Sequence, residues 1–219
     1  VNMNRLKIFI ISAALAFTTS AFAGGTIGLK VGNGDLEGNS KAYTAGDTNY
    51  AGASGSKDSE YGAIFAEIDL GDSPISIGLE YVPFDADISL DGKNANTSAN
   101  VDDYMTAYLM AGKEMPNGAS LYVKAGLSTA DIGTVSPNDA KTTVNSNSGS
   151  LDGTMIGLGF ESPANDFGLV VRAEATYTEF DTVQVTTTSN GSTSVKKEAD
   201  GDLTTFSISL AKSFLSLIH

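Results

Sequence analysis

From residue 24 onward the chain repeatedly alternates apolar and polar residues one by one. Ile64, Ala66, Ile68 and Leu70 share one face of an extended segment, and Ala63, Phe65, Glu67 and Asp69 share the other. After Gly71-Asp72-Ser73-Pro74 the pattern returns, with Ile75, Ile77, Leu79 and Tyr81 opposite Ser76, Gly78, Glu80 and Val82. Leu121, Val123, Ala125 and Leu127 stand opposite Tyr122, Lys124, Gly126 and Ser128. Leu169, Val171, Ala173, Ala175 and Tyr177 stand opposite Val170, Arg172, Glu174, Thr176 and Thr178. Near the end, Phe206, Ile208, Leu210 and Phe214 oppose Ser207, Ser209, Ala211 and Ser213, and Lys212 interrupts the apolar side. A period of two predicts strands with one greasy and one polar face. Segments near 104–112 and 154–160 alternate less cleanly, and a short one near 26–32 follows the same rule. Eight strands are predicted.

The connections alternate in length. Those at 71–74, 114–119 and 162–166 are tight and rich in Gly, Pro, Asn and Asp, which favour turns. Those at about 33–59, 83–102, 131–150 and 181–202 are long and polar. Within the last of these, Val183, Val185 and Val195 flank Asn190-Gly191, a two-residue hairpin signal that predicts two strands projecting beyond the rest. Tyr61, Tyr81, Phe84, Tyr104, Tyr177 and Phe180 fall at strand ends beside the long links. Phe160, Phe167 and Phe214 fall beside the tight ones or the terminus. Two aromatic rings of this kind match the two boundaries between water and lipid.

These features resemble the small eight-stranded outer-membrane barrels, such as the membrane domain of outer-membrane protein A. The resemblance covers residues 24–214 and is architectural. Its most specific part is Phe206, Ile208, Leu210 and Phe214, alternating residues ending in Phe, which look like that family's assembly signal. It implies an all-β fold, an eight-stranded antiparallel up-and-down transmembrane β-barrel with short periplasmic turns and long extracellular loops. It also implies residence in the cell outer membrane, with the lipid bilayer, lipopolysaccharide and the barrel-insertion machinery as partners and a monomer as the working unit. Lys212 and residues 215–219 depart from the family's terminal pattern.

The first residues agree with export. Arg5 and Lys7 precede an apolar run from Ile8 to Phe17, and Ala21-Phe22-Ala23 offers the small residues a signal peptidase accepts. Residues 1–23 are therefore expected as a cleaved signal peptide and residues 24–219 as one barrel domain. The formal charge is −13, and loss of Arg5 and Lys7 makes the remainder more acidic still. Nucleic acid would be repelled, so it is not an expected partner. The chain has no cysteine, which excludes disulfides and thiolate metal sites.

A polar face turned inward collects Glu67, Glu80, Lys124, Arg172 and Glu174, with Asp69 nearby. Buried charges must pair, so Arg172 and Lys124 are expected to be bracketed by Glu67, Glu80 and Glu174. An eight-stranded barrel is filled by its side chains, so a polar plug is expected rather than an open pore. No catalytic site is expected, because the one histidine, His219, ends the chain with nothing to orient it. Asp85, Asp87 and Asp91 lack the spacing and terminal Glu of a calcium loop, so neither a metal nor a cofactor is expected. The leading expectation is a non-enzymatic structural or surface-interacting barrel with acidic loops. The alternative is a narrow pore or a barrel that transports a small solute. On this reading Arg at outward Ala173 impairs assembly, while Arg at inward Ser209 is milder.

Overall fold

The computed structural model describes residues 24–45, 48–71, 73–83, 86–92, 95–137, 142–146, 149–189 and 193–215. The expected signal segment, Phe84, Asp85, Asn190-Gly191 and residues 216–219 lie outside them.

Eight strands form the fold. They are β1 (Gly24–Ser40), β2 (Ala53–Asp69), β3 (Ile75–Val82), β4 (Ala95–Glu114), β5 (Ser120–Pro137), β6 (Ser150–Glu161), β7 (Leu169–Ser189) and β8 (Thr193–Leu215). Each pairs antiparallel with its neighbours in the chain, and β1 also pairs with β8, from Gly24 opposite Leu215 to Ser40 opposite Ala199. The ring is thereby closed, leaving no strand edge of the barrel without a partner in the lipid. Four short strands accompany it. Ala86–Gly92 pairs with β4, Thr142–Ser146 pairs with β7, and Tyr43–Ala45 pairs with Thr48–Tyr50.

One end carries the tight connections. Gly71, Gly118 and Gly168 adopt positive φ there, and Asn165 Oδ1 accepts hydrogen bonds from the amides of Phe167 and Leu169, each at 2.9 Å. At the other end the expected long polar links are largely strand. β1 continues to Ser40 and β2 begins at Ala53, while β7 and β8 stay paired from Val183–Ala199 to Ser189–Thr193. These strand extensions carry Ser, Thr and Asn at successive positions, so they lack the apolar-polar alternation of the rest. The irregular parity near Tyr104 also has a cause. The β4–β5 register shifts between Asp102 and Met105, and Asp103 takes φ 52°. A bulge of this kind moves later residues to the opposite face.

The greasy faces point outward. Leu29, Val31, Leu127, Leu158 and Phe206 are each more than 60% exposed, whereas Lys30, Glu67, Lys124 and Arg172 are buried. Such an inside-out protein is stable only where lipid tails cover its surface. The aromatic pattern needs a correction. Phe160, Phe167 and Phe214 are exposed at the tight-turn end and Tyr177 is exposed toward the other. Phe180 is buried, however, and Tyr61 and Tyr104 line an internal cavity. Position near a strand end did not distinguish a lipid anchor from a lumen residue, because parity alone decides the side.

Three lumen glycines make room for three rings. A Cβ on Gly78 would lie 2.2 Å from the Tyr108 ring, one on Gly159 2.2 Å from Tyr122, and one on Gly28 2.4 Å from Phe65. Each ring covers the bare backbone of a strand, a packing that pins register. Gly159→Ala is therefore expected to displace Tyr122 and destabilise the barrel by about 1–3 kcal/mol, the usual range for overpacking. Urea titration of the refolded variant, followed by circular dichroism, checks it.

Candidate functional site

Charged side chains from six strands meet in one layer across the lumen. Glu174 on β7 accepts Lys30 of β1 at 2.5 Å and Lys124 of β5 at 2.6 Å, and the Tyr122 hydroxyl donates to it at 3.1 Å. Glu67 on β2 accepts Arg172 of β7 at 2.8 Å and the Tyr108 hydroxyl at 2.7 Å, with Lys124 at 3.9 Å. Lys30 also reaches Glu80 of β3 at 2.5 Å, and Arg172 reaches Glu161 of β6 at 2.5 Å. The rings that cover the glycines face the cations. Lys124 Nζ is 4.1 Å from the Tyr108 centroid, and the Arg172 guanidinium is 5.3 Å from that of Phe65. Carboxylates, hydroxyls and aromatic faces together replace the water that these ions lose.

All five sequence-selected residues, Glu67, Glu80, Lys124, Arg172 and Glu174, enter this layer, but the pairing differs from the expectation in one respect. Glu80 bridges to Lys30, not to Lys124 or Arg172. Lys30 and Glu161 were missed. Lys30 stands between Leu29 and Val31 on the polar side of β1, inside the segment near 26–32, so parity was the signal that could have found it. Glu161 adjoins Ser162-Pro163 and reads as a turn residue. Asp69 lies nearer the tight turns, accepting a hydrogen bond from Ser76 Oγ at 2.7 Å.

Above the layer, toward the strand extensions, lies a cavity of about 140 Å³ to which all eight strands contribute. Leu36, Val82, Leu151, Met155, Phe180 and Leu203 make most of its wall apolar, and Tyr61, Tyr104, Thr106, Thr176 and Thr205 add hydroxyls. Tyr104 meets Phe180 edge to face, with centroids 6.3 Å apart, and donates to Ser128 Oγ at 3.1 Å. Glu80 and Glu174 form its floor. The polar, filled interior expected from barrel size therefore holds at one level only. The bulge in β4 separates Val101 from Met105 and helps turn apolar residues into the space above.

Residues 8–214 match the model of the outer membrane protein beta-barrel domain. The chain belongs to that family. As an outer-membrane barrel it resides in the lipid bilayer of the cell outer membrane. Its fold is similar to the crystal structure of the outer membrane protein OprG from Pseudomonas aeruginosa. That similarity has a TM-score of 0.63 at 15% identity, covering 89% of this chain and 97% of the other. It is also similar to the solid-state NMR structure of outer membrane protein AlkL in DMPC bilayers. There the TM-score is 0.53 at 10% identity, covering 92% and 96%. At these identities the likeness concerns fold alone. No curated protein matches the sequence.

Within this outer-membrane barrel the terminal strand has a definite orientation. Phe206, Ile208, Leu210 and Phe214 all face outward, and β8 pairs through Leu215. Lys212 lies on the same side but bends its ammonium to the Phe167 carbonyl, with the Phe214 ring 5.8 Å away. A long cationic side chain at the lipid boundary can keep its charge in the polar zone in this way.

Proposed function

We infer that this outer-membrane barrel is a non-enzymatic protein that takes a small, mainly apolar solute into its lumen while remaining closed to free ion flow. The observation that supports it is the apolar cavity built by all eight strands directly over a paired charge layer. A cavity of comparable size lined by aliphatic side chains accommodates a molecule such as benzene. A hydrated ion, by contrast, would have to break the Lys30–Glu174–Lys124 bridge. Two measurements test the reading. Planar-bilayer recordings should give no large steady current. Benzyl alcohol should bind the refolded protein and should no longer bind after Leu203→Trp, which fills the cavity. Steady conductance, or binding that survives the filled cavity, overturns the reading.

A surface-interaction role has its own support. On the outward side, Glu37, Asp202 and Glu179 stand opposite one another on β1, β8 and β7, and Asp35 stands opposite Asp58. Carboxylates in register repel one another, so the strand extensions keep an acidic surface at some expense in stability. We place that surface on the extracellular side, with the tight turns in the periplasm and lipopolysaccharide as the neighbour. The outward Phe206, Ile208, Leu210 and Phe214 are the residues we assign to recognition by the insertion machinery.

A further inference from the structure

We propose that the cavity selects a small amphipathic cation, an ammonium group carried on a compact apolar body, with Glu80 as its counter-ion. The proposal rests on the solute-binding reading above and names the substrate class of that site.

Three features of the cavity carry it. First, among the described residues its lining contains two carboxylates, Glu80 and Glu174, and no Lys, Arg or His. Second, the carboxylates differ in how fully they are used. Glu174 engages Lys30 through one oxygen and Lys124 and Tyr122 through the other. Glu80 engages Lys30 through Oε2, and its side chain keeps 12% of its surface accessible. Third, among the described residues the charge layer contains three cations, Lys30, Lys124 and Arg172, against four carboxylates, Glu67, Glu80, Glu161 and Glu174. An incoming ammonium brings that group to neutrality, whereas an incoming carboxylate would add a fifth negative charge in a poorly solvated space. Tyr61, Tyr104 and Phe180 line the same space, and aromatic rings suit an alkylammonium that reaches their negative faces. The apolar body then rests among Val82, Leu151, Met155 and Leu203.

The test compares three probes with one ring and different heads: benzylammonium, benzyl alcohol and benzoate. Each is titrated into the protein refolded in lipid nanodiscs, by calorimetry and by the Met155 methyl resonance. Benzylammonium is expected to bind about tenfold more tightly than the alcohol, and benzoate more weakly than either. Glu80→Gln should bring benzylammonium down to the level of the alcohol. The preference should persist in 1 M salt, where a Debye length of about 3 Å removes steering by surface charge but not a buried pair. Equal binding of the ammonium and the alcohol, or a preference that vanishes in salt, overturns the proposal while leaving the solute-binding reading standing. Failure of all three probes to perturb Met155 overturns both. If Glu80→Gln does not refold, the order of the three probes and its salt response on the unaltered protein still decide the matter.

Discussion

Replacing Glu174 by Ala is expected to destabilise the barrel by about 3–5 kcal/mol, the range for removing one partner of a buried ion pair. The size follows from what the carboxylate holds. It lies between Lys30 and Lys124 at 2.5 and 2.6 Å and also accepts from Tyr122. Without it Lys30 keeps Glu80, but Lys124 is left with Glu67 at 3.9 Å and a second ammonium nearby. Glu174→Gln, which retains one acceptor oxygen, should lose less. The pair Lys124→Met with Glu174→Gln should recover part of the loss, because it removes the orphaned charge as well as its partner. Urea midpoints of refolding in phospholipid vesicles, read from circular dichroism and heat-modifiable gel migration, measure all three. A Glu174→Ala barrel as stable as the parent would mean that the charge layer is hydrated rather than dry.

The second large effect concerns the two sides of the wall. Arg at Ala173, on the lipid face of β7, should destabilise by about 2–4 kcal/mol if the position is near the midplane of the bilayer. Parity alone predicted a milder outcome for Arg at inward Ser209. The register around Ser209 argues for the opposite order. Ser209 is buried and stands in register between Lys30 on β1 and Arg172 on β7. A third cation there meets two others in a buried place. Ser209→Arg should therefore equal or exceed Ala173→Arg, while Ser209→Glu, of opposite sign, should be better tolerated than Ser209→Arg. The sign of the charge matters at 209 because fixed charges surround it. At 173 both signs are unwelcome, since hydrocarbon solvates neither. Folding yields in vesicles of Arg and Glu variants at each position, Ala173→Glu included, separate the cases. Equal yields for Arg and Glu at 209 would contradict the register.

Much of the charge layer was legible before any fold was known. Lys124 and Arg172 are cations on faces otherwise small or polar, flanked by Leu and Val on the opposite side, and burial of such faces demands carboxylates. The particular partners were not legible. Glu80 and Lys30 are 50 positions apart, and Glu174 and Lys30 are 144 apart. Which of several inward carboxylates reaches which cation depends on strand stagger around the closed ring, summed over eight pairings. Tyr61, Tyr104 and Phe180 failed for a related reason. Tyr61 shares the parity of Ala63 and Phe65, and Phe180 that of Thr178, so both belong to inward faces and strand-end position misled; at Tyr104 the bulge before Met105 broke the parity itself.

By itself the sequence determined the strand period, the number of barrel strands, the lipid-facing side of the cleanly alternating ones and most of the charges inside. Those are local properties, carried by successive side chains pointing to opposite faces of an extended backbone. The tertiary structure alone decided the Lys30–Glu174–Lys124 bridge, the ring-over-glycine contacts and the apolar cavity above them. Each of these is made across the lumen by residues distant in the chain, and closure with a particular register is what brings them within reach.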